Sequence, residues 1–126
     1  MQGSPPPLSL AAALALPVPS GRRSAEAFRD GDLEVRLYAP NGHDPQTPHD
    51  RDELYIVASG AGNFRLEDSL TPCKTGDLLF AAAHATHRFE DFSDDFAAWV
   101  IFTARRNNRR YPILEQPRNE TIPRSW

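Results

Sequence analysis

The sequence predicts an all-β single domain, and three observations carry that prediction. Short runs of β-branched, aromatic and leucine residues recur from Leu33 onward, each closed by Gly, Pro, Asp or Ser. No long helical period interrupts them. With 126 residues the chain has room for one compact core and little more. Short strands at this spacing build an antiparallel sandwich or barrel.

Taken in order, residues 1–32 form a lead and 33–103 the barrel, while 104–126 are a basic tail. In the lead, Ser9 is placed to cap a short helix over LAAALAL, which Pro17 and Pro19 end. Ser24 stands similarly before AEAFRD, with Gly31 as a stop, so a second short helix is expected there. These apolar pieces are expected to cover one face or an opening of the barrel. LEVRLYA then alternates Leu33, Val35 and Leu37 with charged or polar neighbours, the period of a half-buried strand. After the turn-forming stretch APNGHDPQTP come five further strand-like runs, DELYIVASG, GNFRLED, GDLLFAAA, HRFEDF and DFAAWVIFTA. Cys73, between Pro72 and Lys74, reads as a loop residue with no activating neighbour. The tail has few apolar residues and no period.

Charge narrows the partners. The net charge of -3 combines a local +4 in residues 104–126 with -7 in the remainder. An acidic body argues against nucleic acid, and the tail arginines lack the interleaved aromatics of a single-strand binder. LSLAAALALPVP is too short and too proline-interrupted to span a bilayer, and no basic residue precedes it as in a secretory signal. A single cysteine cannot form an internal disulfide, which fits a reducing, cytoplasmic setting. A homodimer is expected, because small β-sandwiches commonly cover edge strands with a second copy.

Chemistry concentrates in QTPHDRDELYIV. Imidazole is the commonest metal ligand, and Glu53 follows His49 by four residues. Pro48 and the run Leu54-Tyr55-Ile56-Val57 argue for strands rather than a helix. The expectation is that His49 ends one strand and Glu53 opens the next, with Asp50, Arg51 and Asp52 as the turn. His84 and His43 read as exposed turn residues, and most of the aromatics as core.

These residues resemble the two motifs of the cupin superfamily. In the first, Gly42 opens slightly early in register. Thr47-Pro48-His49 stands at the His-x-His, Glu53 is the glutamate, and Gly60 closes the motif six residues later. In the second, Gly76 opens, Ala82-Ala83-His84 replaces Pro-x-Gly, His87 is the histidine and Asp91 replaces asparagine. The resemblance implies a jelly-roll barrel of two antiparallel sheets. It also implies one divalent transition metal (Fe, Mn, Ni, Co or Zn) at His49, Glu53 and His87, with Gln46 or Thr47 as a candidate fourth ligand. Thr47 departs from the family, which generally has histidine there. Two histidines and a carboxylate with open positions opposite suit a non-haem iron or catalytic zinc centre. Tyr55 and Phe89 are the candidates for substrate contact at its rim. Two functions follow: a metal-dependent oxygenase or isomerase acting on a small organic molecule, or a non-catalytic binding or sensing module with or without metal.

Overall fold

A computed structural model describes residues 6–106. One short helix, α1 (Leu10–Leu14), precedes eight strands. These are β1 (Ala25–Asp30), β2 (Leu33–Tyr38), β3 (Arg51–Ser59), β4 (Ala61–Leu66), β5 (Ser69–Lys74), β6 (Leu78–Ala81), β7 (His87–Glu90) and β8 (Ala97–Arg106). All pairings are antiparallel, in a five-stranded sheet ordered β1-β2-β8-β3-β6 and a three-stranded sheet ordered β5-β4-β7. The expected two-sheet jelly roll is what the chain forms. Among the described residues no helix is long and apolar enough to cross a membrane. The tail beyond Arg106 lies outside the described residues.

The core fills the space between the sheets. Tyr55 and Val57 from β3 and Val100 from β8 meet Phe64 of β4, Cys73 of β5, Phe89 of β7 and Phe96. The rings of Phe89 and Phe96 lie 4.7 Å apart and those of Tyr55 and Phe89 5.1 Å, spacings at which tilted aromatic pairs attract. Gly60, the closing glycine of the first motif, has φ +78°, and a Cβ there would lie 2.9 Å from Phe96 Cα. Both the backbone conformation and the lack of space require glycine at that turn.

The lead is half as expected. Ser9 Oγ accepts from Ala12 N–H at 3.0 Å and so caps α1. Ala13 packs with Leu37 and Ala97 on the outer face of the larger sheet. AEAFRD, by contrast, is β1 rather than a second helix, and its residues pair with β2 from Ala25↔Leu37 to Asp30↔Leu33. Gly31, with φ +63°, is the first residue of the two-residue turn joining them, so the glycine that looked like a helix stop is a hairpin glycine. Six residues are too few for a stable isolated helix, and a ladder with β2 outweighs their local propensity. Cys73 also lies elsewhere than expected, in β5 and buried. Pro72 is tolerated because β5 pairs only with β4 and is an edge strand.

Register identifies the inner face of the larger sheet. Glu34, Phe102, Glu53 and Ala81 form one row across β2, β8, β3 and β6, and Arg36, Val100, Tyr55 and Leu79 form the next. The alternation expected of LEVRLYA is present, but it is the charged residues that face inward: Glu34 and Arg36 are buried, and Leu33 is exposed.

Candidate metal centre

The segment before β3 carries the site. Residues 43–49 have no regular structure, and Asp44 ties them down. Its Oδ1 accepts from the Tyr38 hydroxyl, and its Oδ2 accepts from Phe89 N–H at 2.8 Å and from Gln46 Nε2 at 2.6 Å. One buried carboxylate thus joins β2, β7 and the loop. The turn between β6 and β7 is tied to the same segment: His84 N–H donates to His49 O at 2.6 Å, and Ala83 N–H to Asp52 Oδ1 at 2.9 Å. These bonds bring the start of β7, and with it His87, alongside His49.

His49 therefore does not end a strand of its own. It lies in the loop, and Arg51 and Asp52, expected in a turn, already belong to β3 together with Glu53. A register shift between Arg51 and Glu53 in the pairing with β8 lets Asp52 and Glu53 both be buried, which strict alternation forbids.

The donor atoms of His49, Glu53 and His87 lie within 4.8 Å of one another. His49 Nδ1 contacts Glu53 Oε2, and His87 Nε2 lies 3.2 Å from the same oxygen. Glu53 and His87 are almost wholly enclosed, whereas the His49 side chain is 36% exposed. Tyr55 hydroxyl lies 2.7 Å from Glu53 Oε1, which leaves Oε2 to the imidazoles, and 3.1 Å from Gln46 Oε1. Burial works against ionising Glu53, yet the adjacent His49 and His87 imidazoles and their charge hold its pKa down at about 2. Burial opposes protonation of His87, but Glu53 outweighs it and raises the His87 pKa. Tyr55 is pushed well up, first by burial and then by the Glu53 charge, so its hydroxyl stays a proton donor.

His87 Nδ1 is 2.9 Å from Ala85 O. A carbonyl only accepts, so Nδ1 carries the proton, and in neutral imidazole Nε2 presents a lone pair. That Nε2 is buried, lies at ion-pair distance from a carboxylate oxygen and makes no hydrogen bond. Two buried lone pairs this close require a cation beside them, either a proton on His87 or a metal ion. The donor chemistry of the trio fits a divalent transition metal.

A cavity of about 320 Å³ opens on the His49 side. His49, Glu53, Tyr55, Gln46 and Thr47 all line it. Thr47 is exposed at the wall, and Gln46 is half-buried, its amide engaged by Asp44 and Tyr55. Because residues 43–49 are not a strand, alternation does not keep Gln46 from facing inward. Phe89, expected at the rim, is instead a core residue, edge-to-face with Tyr55 and tilted against Phe64 and Phe96, and is not part of the cavity lining. His43 and His84 are exposed, as expected.

Sequence reasoning missed much of the wall. Glu34 accepts from Arg36 at 2.7 Å and Arg51 at 3.1 Å, and Arg51 also lies 5.0 Å over the ring of Phe102. Strand alternation contained the signal for Glu34 and Arg36, which share a face with Tyr38. Asp44, in a stretch full of turn formers, carried none.

A family profile described as the cupin domain matches residues 34–103. The chain belongs to that family. It is 31% identical over 78 residues to an uncharacterized protein of Streptomyces coelicolor, covering 60% of this chain and 74% of that one. A cupin 2 conserved barrel domain protein from Salinispora arenicola shares the fold with TM-score 0.59 at 16% identity, over 82% of this chain and 90% of the other. A cupin-2 domain structure from Rhodospirillum rubrum does so with TM-score 0.56 at 18% identity, over 67% of this chain. This chain spans 60% of the length of the Rhodospirillum rubrum structure.

Proposed function

We propose that this cupin is a metal-dependent enzyme of oxygenase type acting on a small organic molecule, with a divalent transition metal held by His49, Glu53 and His87. The observation that carries the reading is the buried His87 Nε2, 3.2 Å from Glu53 Oε2 yet with no hydrogen-bond partner. One cation satisfies that nitrogen, the Glu53 oxygen and His49 together, whereas a proton on His87 satisfies only one pair. Bound there, a metal would supply Lewis-acid polarisation and, if redox-active, oxidation chemistry.

The chain's own residues do the rest. Glu53 supplies negative charge and stays ionised down to low pH. Tyr55 holds the second Glu53 oxygen and so turns the first toward the imidazoles. Ala85 O fixes the His87 tautomer. The exposed side of His49 leaves the substrate its approach from the cavity, where Gln46 and Thr47 offer polar contacts. A reducing, cytoplasmic setting and a homodimer belong to the same proposal: the first is supported by one buried thiol, the second by the exposed Leu33, Ile56 and Leu78 on the outer face of the larger sheet.

Elemental analysis of protein purified without chelators tests the proposal. A stoichiometric metal is expected in the wild type and in His84→Ala, with none in His49→Ala or His87→Ala. Wild type with no metal would remove the enzyme reading and leave a binding or sensing module, and metal lost from His84→Ala alone would mean the wrong histidine was chosen.

A further inference from the structure

We propose that the cavity takes a small organic acid, whose carboxylate is held at the rim by Arg22 and Arg23. The proposal rests on the reading of the cavity as a small-molecule site and names its substrate class.

Charge is segregated in this molecule. Residues 1–103 contain eight basic and fifteen acidic side chains. Four of those eight basic residues line the cavity, namely Arg22, Arg23, Arg36 and Arg51. Only three of the fifteen acids do so, Glu34, Asp50 and Glu53. An acidic body thus surrounds a cavity whose wall carries more guanidinium than carboxylate, and a low-dielectric concavity focuses that field.

Two of the four arginines are already committed. Arg51 donates to Glu34, Thr103 O and Asp32 O. Arg36 donates to Glu34 at 2.7 Å and, with its other nitrogens, to Ser24 Oγ and Ser24 O, both at 2.7 Å. Those two bonds fasten residues 21–24 across the cavity wall and hold Arg22 and Arg23 at its edge. Arg22 and Arg23 are exposed; the Arg22 N–H donates to Pro19 O at 3.0 Å and Arg23 acts on Tyr38 only through its charge, and among the described residues neither guanidinium makes a hydrogen bond or ion pair. The cavity therefore offers two unspent guanidinium groups, the side chain best shaped to bind a carboxylate through two bonds. Phe102 and Val100 form an apolar stretch of the same wall against which a hydrocarbon body can lie. The volume of about 320 Å³ suits a small ligand.

Calorimetric titration of the full chain, after its metal content is measured, tests this with benzoate and succinate, their neutral amides and inorganic phosphate. Each acid is expected to bind about tenfold more tightly than its amide, with the ratio shrinking as salt is added. In Arg22→Gln/Arg23→Gln the ratio should fall to about one, while metal stoichiometry and thermal midpoint match the wild type. Equal affinity for acid and amide, binding of neither, or an acid preference that survives in the double variant would overturn the proposal. Phosphate binding as tightly as the acids would also overturn it, making the rim an inorganic oxyanion site. Metal stoichiometry separates the two readings. Acid preference in a chain that takes no metal sinks the metal centre alone, and stoichiometric metal without acid preference sinks this inference alone.

Discussion

On β2, Glu34 and Arg36 are 5% and 4% exposed, while Leu33 beside them is 40% exposed. The contrast extends across the larger sheet: the inner rows carry Glu34, Arg36, Glu53 and Tyr55, and the outer rows carry Val35, Ile101, Leu54 and Phe80, then Trp99, Ile56 and Leu78. An ordinary half-buried strand does the reverse. The difference teaches that the barrel interior has two parts. Toward the smaller sheet it is packed with aromatic rings, as any core is. Toward the open end it is a binding chamber, and charges are tolerated there because nearly every one has a partner at hydrogen-bond distance.

The comparison can be broken most severely at Glu34. Glu34→Ala leaves Arg36 buried without its carboxylate, and a loss of about 3 kcal/mol in urea unfolding is expected, the low end for a buried pair because the cavity admits water. The double variant Glu34→Leu/Arg36→Met should recover part of it, since it removes the most deeply buried pair and leaves only the more accessible Arg51 and Arg29 without that carboxylate.

Acid pH probes the same face at Glu53. Its folded pKa of about 2 lies below the model-peptide value of 4.5, so its contribution is fully present above about 4.5 and is lost as pH falls toward 2. Metal-free wild type should therefore lose a few kcal/mol more across that window than Glu53→Gln, read from urea midpoints at each pH. Equal slopes for the two proteins would show that Glu53 is not held ionised by the imidazoles.

A smaller effect is expected at Asp44. Asp44→Asn keeps the shape but weakens the anchoring of the loop that bears His49, and metal affinity should drop about 10- to 100-fold in a chelator competition. Least of all should happen outside: Leu70→Lys, at a side chain 46% exposed on the edge strand of the smaller sheet, should stay within about 0.5 kcal/mol of the wild type.

How far the sequence could be read follows the same division. Alternation and turn residues made β2, β3, β4, β6, β7 and β8 legible, and Ser9 with Pro17 marked α1. The resemblance to the two cupin motifs brought His49, Glu53 and His87 together, because metal ligands are few in kind and constrained in position. Alternation put Glu34 and Arg36 on one face with Tyr38, but that this face is the buried one was not legible, nor was the Asp44–Tyr38 pair, since a charged residue is ordinarily solvated and only tertiary pairing makes its burial tolerable. β1 and β5 were hidden for a related reason: helix-favouring residues in one and Pro72 in the other signal against a strand locally, and the hairpin partner decides.

Cys73 offers a last consequence. It is the only thiol in the chain, 4% exposed in an edge strand of the smaller sheet, and burial raises its pKa, with the Asp77 charge adding to the effect. A thiol reagent should reach it only when β5 comes away from its neighbours. The native chain thus contains its own stopwatch for how often the closed end of the barrel opens, and that can be timed with the chamber loaded or stripped.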